Sequence, residues 1–194
     1  LILCLLWGIW FSTVQANTAV NNLDFTLHKL GPNDNGPTVL VIGGIQGDEP
    51  GGFTAASLLV TDYKVSKGNV WVVPNLNFKS IIERSRGVHG DMNRKFLRLP
   101  KADPEYASVE KIKSIILDKK VDLILNLHDG SGFYYPVYVN KDRNPHRWGQ
   151  SVIIDQKSIE TPRFGDLADL AKRVCESANQ HIKVKKTRYN VKNT

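Results

Sequence analysis

The ten residues from Gly43 to Gly52, GGIQGDEPGG, constrain this chain more than any other stretch. An apolar, β-branched run, Thr38–Ile42, leads into them, and a helical pattern over Gly51–Val60 leads out. A run that is apolar on both faces belongs in a parallel sheet covered from both sides. Paired glycines at each end let the backbone turn sharply and come close to whatever sits there. Between them stand Gln46 and Glu49, three residues apart. At that spacing a carboxylate oxygen and a second donor can face one point, as two ligands of a metal ion must.

The rest of the chain alternates in the same way. Asn22–Lys29 reads as an edge strand, and the cluster Gly31–Pro37 as a turn. In the helix after the glycine loop, Phe53, Ala56 and Val60 share a face. Asn69–Val73 is a third strand, ended by Pro74. Asn75–Arg98 is polar and reads as a long irregular loop crowded with Arg84, Arg86, His89, Asp91, Asn93 and Arg94, the kind of loop that is usually functional. Asp103-Pro104 predicts a helix start, with Val109, Ile112, Ile115 and Ile116 inward. Val121–Leu127 is a second two-sided apolar strand that runs straight into His128. A glycine and aromatic loop follows over Gly130–Pro136, then a short strand at Val152–Asp155. Gly165–His181 predicts a helix with Leu167, Leu170 and Val174 inward. The expected fold is α/β, a mostly parallel or mixed central sheet with helices on both faces.

Leu1–Phe11 is apolar and uncharged, too short for a membrane span but matched to the core of a secretory leader. Val14-Gln15-Ala16 places small residues where a signal peptidase reads, so cleavage is expected after Ala16, with no stable membrane anchor afterwards. Cys4 falls in the leader, which leaves Cys175 alone and the mature chain without an internal disulfide. The formal net charge of +7 allows an anionic partner such as a cell-wall polymer. No nucleic-acid-reading motif is present, and the basic tail of Lys183, Lys185, Lys186 and Arg188 reads as a solvated face.

Ligands of open α/β sheets bind beyond the carboxyl ends of the strands. Gln46 and Glu49 follow one buried strand at that end, and His128 follows another. If those strands are parallel neighbours, the three side chains converge as an open catalytic zinc site, with a fourth position left for water or substrate. Each residue also has a plainer role available. Glu49 can favour a helix N-terminus, Gln46 can bond within its loop, and His128 can be an ordinary polar residue at a strand end.

These residues resemble the zinc metallocarboxypeptidase family, carboxypeptidase A-like, which carries His-x-x-Glu after one strand and a distant His. Here Gln46-Gly47-Asp48-Glu49 and His128 hold those places. Between them come Arg86 and the run Asp91-Met92-Asn93-Arg94-Lys95-Phe96, similar to the family's separated arginine and its Asp-x-Asn-Arg-x-Phe motif. Glutamine in the first slot looks like the cell-shape-determining peptidoglycan D,L-carboxypeptidases of helical bacteria, which trim tripeptide stems to dipeptides. The resemblance implies one zinc per chain held by Gln46, Glu49 and His128. It implies Arg86 as the catalytic group that polarises the scissile carbonyl, and Asn93 and Arg94 as the clamp on the substrate's terminal carboxylate. It further implies a periplasmic enzyme acting on peptidoglycan stem peptides. Tyr134 and Trp148 are candidates to shape its pocket. The family's general base is a downstream glutamate, and the surroundings of Glu160 and Glu176 do not match it. Residues 17–194 are therefore expected to be the N-terminal part of a larger catalytic domain. Two rival readings remain: a zinc amidohydrolase of the succinylglutamate desuccinylase and aspartoacylase type, and a wall-peptide-binding module without catalysis.

Overall fold

The computed structural model describes residues 24–154 and 159–193. The leader, its cleavage point and Cys4 lie outside the described residues. A four-stranded sheet organises the chain, built from β1 (His28–Leu30), β2 (Thr38–Ile42), β3 (Asn69–Val73) and β4 (Leu123–Asn126). Its order is β1-β3-β2-β4, with β1 antiparallel to β3 and the other pairs parallel. The mixed sheet is the expected one, although among the described residues the edge strand starts at His28 and extends to Leu30.

Both faces of the sheet are covered, because alternate residues of β2 and β3 point opposite ways. Leu40, Ile42, Trp71 and Val73 pack against Val109 and Ile112 of α3 (Tyr106–Ile116). Val41 and Val72 pack against Ala56 of α1 (Pro50–Asp62). The close approach of α1 depends on missing side chains. A Cβ on Gly52 would lie 2.5 Å from the Leu127 carbonyl oxygen, and one on Gly43 would lie 2.6 Å from that of Gly52.

Several expectations are corrected. The segment Asn75–Arg98 is not irregular throughout. It holds α2 (Phe78–Ile82), capped by the Asn77 side chain, and a 3-10 turn at Met92–Arg94. Asp103 does not start α3 directly. Its carboxylate takes the Glu105 N–H at 2.8 Å, and the helix begins at Tyr106. Strand β4 was read as buried on both faces, yet Ile124 and Leu125 are each 39% exposed. It pairs with β2 on one side only, and among the described residues no strand takes its other edge.

Beyond the sheet, β5 (Phe133–Tyr134) pairs with β6 (Arg143–Asn144). Strand β7 (Ser151–Ile154) occupies the expected short strand and pairs in parallel with β10 (Asn190–Asn193), which the sequence reading missed. A hairpin of β8 (Glu160–Thr161) and β9 (Gly165–Asp166) precedes α4 (Leu167–Gln180). The buried residues of α4 are Ala171 and Cys175, while Val174 is exposed, so the inward stripe is rotated from the one expected. Ala171 and Cys175 thus form the line on which the helix is buried. The basic residues Lys183, Lys185, Lys186 and Arg188 are exposed.

Candidate metal centre

Strand register brings the predicted residues together. Ile42 pairs with both Val73 and Asn126, so β2, β3 and β4 end level. The Leu127 N–H donates to the Ile42 carbonyl at 2.8 Å, which carries β4 one residue further before His128 leaves the sheet. Beside it, Gly43 donates to Val73 at 2.8 Å and Gly44 turns with φ 70°, which aims the loop bearing Gln46 and Glu49 across the end of β4.

The three side chains meet. His128 Nδ1 lies 2.8 Å from Glu49 Oε2 and 3.1 Å from Gln46 Oε1. Gln46 is only 1% exposed, so its amide must be satisfied from within. Its Nε2 donates to Asp91 Oδ1 at 2.8 Å, and a carboxylate can only accept. Asp91 therefore fixes the amide so that its oxygen faces the imidazole. Glu49 Oε2 also takes the Asp129 N–H at 3.1 Å, and Asp129 in turn takes the Gly51 N–H at 3.0 Å. That pair of bonds ties the first turn of α1 to the residue after His128.

Arg86 spans the cluster. Its Nη1 pairs with Glu49 Oε1 at 3.2 Å and its Nε with Asp91 Oδ2 at 3.1 Å. Burial works against the guanidinium charge, but Asp91 and Glu49 outweigh it and hold the group above its ordinary value. Burial likewise opposes the Asp91 charge, yet the Gln46 amide, the Asn93 N–H and Arg86 hold that carboxyl below its ordinary value. The loop carrying Arg86 is fastened to the ligand loop by Gly47 N–H to the Ser85 carbonyl at 2.9 Å. A Cβ on Gly47 would fall 1.9 Å from the Ser80 carbonyl oxygen, so only glycine permits this contact.

Asn93 and Arg94 sit on the 3-10 turn. Asp91 accepts the Asn93 N–H at 3.0 Å, and Met92 is buried in the core. Among the described residues, neither the Asn93 nor the Arg94 side chain has a hydrogen-bond partner, so both are free for a ligand. Tyr134 and Trp148 do something the sequence did not reveal. Both rings pack on Lys192 Nζ, at 4.9 and 3.7 Å from their centroids. That ammonium also donates to the carbonyls of Pro145 and Arg147, each at 3.0 Å. Burial lowers the Lys192 pKa. Glu160 and Glu176 are exposed and bond to none of the cluster's side chains.

The donor set fits a divalent cation. One ring nitrogen faces two oxygens that can only accept, an arrangement completed either by a single shared proton or by a metal. Ligands about 2.0–2.2 Å from zinc in a tetrahedron stand roughly 3.3–3.6 Å apart, within a small side-chain rotation of the separations seen here. Among the described residues no three His, Cys, Asp or Glu side chains gather, because the third donor is a neutral amide.

The chain is similar to proteins of known structure. The family model "carboxypeptidase controlling helical cell shape catalytic" matches residues 1–194. Among solved structures, the apo and tripeptide-bound forms of the cell shape determinant protein Csd4 from Helicobacter pylori are both similar. Each has 44% identity and a TM-score of 0.83, over 88% of this chain and 42% of theirs. The mDAP-bound form of Csd4, described as a D,L-carboxypeptidase, is 45% identical with a TM-score of 0.81, over 86% of this chain and 41% of that one. The chain thus spans less than half the length of these solved chains. No curated protein matches it. With its glutamine, glutamate and histidine converging at the strand ends, the chain belongs to the family of carboxypeptidases that control helical cell shape.

Proposed function

We propose that this chain forms the metal-binding and carboxylate-recognising part of a periplasmic zinc carboxypeptidase. Its substrate is the tripeptide stem of peptidoglycan, which it trims to a dipeptide, and its physiological output is cell shape. The observation that carries the reading is the meeting of Gln46 Oε1, Glu49 Oε2 and His128 Nδ1 beside an arginine and an unengaged Asn-Arg pair.

Gln46, Glu49 and His128 would hold the zinc, which supplies Lewis acidity toward the scissile carbonyl and acidifies a water molecule. The protein's own groups do the rest. Arg94 offers a forked guanidinium that matches the two oxygens of a terminal carboxylate, and Asn93 adds a neutral donor beside it. That capture sets the scissile bond a fixed distance from the peptide's end. Arg86 stands between the clamp and the ligands, where its charge stabilises the negative charge that develops on the carbonyl oxygen. Asp91 keeps the Gln46 amide from turning over, and so keeps an oxygen rather than an NH2 group toward the site.

The test uses the full-length protein with purified disaccharide tripeptides, N-acyl amino acids and a zinc chelator. Chromatographic release of the terminal residue from the tripeptide, lost on chelation and restored by zinc, is the expected result. Binding of the tripeptide without release would point to a wall-peptide-binding module, and release from N-acyl amino acids alone would overturn the carboxypeptidase reading.

A further inference from the structure

A buried chain of polar groups runs beneath the clamp and the ligand loops. Lys95, the residue after Arg94, donates to Asp103 at 3.0 and 2.9 Å, and its Nζ lies 2.9 Å from Glu105 Oε2. The Glu105 contact is charge proximity rather than an aligned hydrogen bond. Glu105 is 7% exposed, and its other oxygen takes the Asn77 amide at 3.1 Å. Asn77 is buried as well. Its side-chain oxygen accepts the Ser80 N–H at 3.3 Å, and its own backbone N–H donates to Gly44 at 2.8 Å. Ser80 is fully buried. Its hydroxyl takes the Val88 N–H at 3.0 Å, and its carbonyl takes the Ser85 N–H at 3.0 Å.

The chain touches each segment of the proposed site. Gly44 opens the ligand loop, Ser85 and Val88 flank Arg86, and Lys95 closes the turn that presents Asn93 and Arg94. A buried carboxylate is costly to keep, and apolar side chains of similar size would pack the same space at least as well. What the cluster adds is direction, because the two aligned bonds from Lys95 to Asp103 hold only in one arrangement of the turn and the segment that leads into α3, with the Glu105 charge beside them. Burial works against the Lys95 charge, but Asp103 and Glu105 outweigh it and hold the ammonium above its ordinary range.

We infer that Lys95 and Glu105 are positioning residues, which fix the Asn93-Arg94 turn against α3 and so set where the substrate's terminal carboxylate is received. The inference rests on the carboxypeptidase reading and adds a specificity device to it. Neither residue touches substrate. Their removal loosens the turn at its C-terminal end, while Met92 and the Asp91 bond to Asn93 still hold its start.

The experiment compares full-length wild type, Lys95→Arg, Glu105→Gln and the double variant Lys95→Met with Glu105→Gln, which removes the charges of the pair and keeps an amide oxygen for Asn77. Each is loaded with zinc and checked for metal content. Peptide binding is then measured with a tripeptide bearing a free C-terminal carboxylate and with its C-terminal amide. Wild type is expected to favour the free acid. The double variant, with full zinc content, is expected to lose most of that preference, with KM raised about tenfold and kcat changed much less, equivalent to roughly 1.4 kcal/mol. Lys95→Arg is expected to retain it. If Glu105→Gln does not fold, the double variant decides the matter. A double variant with undiminished preference overturns the proposal alone. A wild type without any preference overturns the carboxypeptidase reading and the proposal together.

Discussion

The two strand ends that build the site are made in opposite ways. At the end of β2, Gln46 is buried, its amide is fixed by Asp91, and glycines press the loop against α2 and β4. Beyond the end of β4, His128 keeps 30% of its side chain exposed, after a strand that among the described residues is paired along one edge only. Among the described residues, one ligand arm is thus part of the core and the other stands at the open edge of the sheet. The difference separates two roles that substitutions can test independently, the fold at β2 and the chemistry at β4.

The largest effect is expected at the exposed arm. His128→Ala should lower kcat/KM on the order of 10³-fold, from loss of several kcal/mol of metal-assisted stabilisation. The melting temperature of the zinc-free protein should hardly move, since a half-open side chain supports little packing. A large drop in that melting temperature would erase the contrast. Gly47→Ala should do the reverse. The new methyl group meets the Ser80 carbonyl, and a urea titration should read a loss of about 1–3 kcal/mol. Gln46→His should tighten zinc on the order of tenfold in a chelator competition, because imidazole is a better donor than a neutral amide. Its second nitrogen can donate to Asp91 as the amide does. Equal affinity in the two proteins would mean that the buried arm sets geometry but not strength. The smallest effect is expected at Arg84, which adopts φ 49° just before the Ser85 contact to the ligand loop. Arg84→Gly relieves that conformation and should change stability by a few tenths to about 1 kcal/mol, with activity preserved.

How far the sequence could be read follows the same division. The Thr38–Ile42 run announced a doubly covered strand because burial on both faces leaves a continuous apolar signature. His128 was legible because it follows such a run directly. Val121–Leu127 is as apolar as β2, yet among the described residues, which span less than half the length of the solved relatives, β4 pairs along one edge only, so the apolar pattern marks the strand without stating which residues cover it. On α4 the apolar count favoured Val174, whereas close packing favoured the smaller Ala171 and Cys175. The role of Asp91 is not legible in its motif, because its hold on Gln46 spans 45 residues. Lys192 was invisible for a related reason, because a lysine in a short basic strand looks like any solvated charge until two aromatic rings are found against it.

That lysine has a consequence for how the protein answers to salt. Among the described residues it has no carboxylate partner, and it is held by carbonyl dipoles and ring faces from which bulk water is largely shut out. Dissolved ions weaken contacts between exposed charges and reach such a nest poorly. The seating of the segment that carries Tyr134 and Trp148 should therefore tolerate wide swings in ionic strength, which surface ion pairs would not.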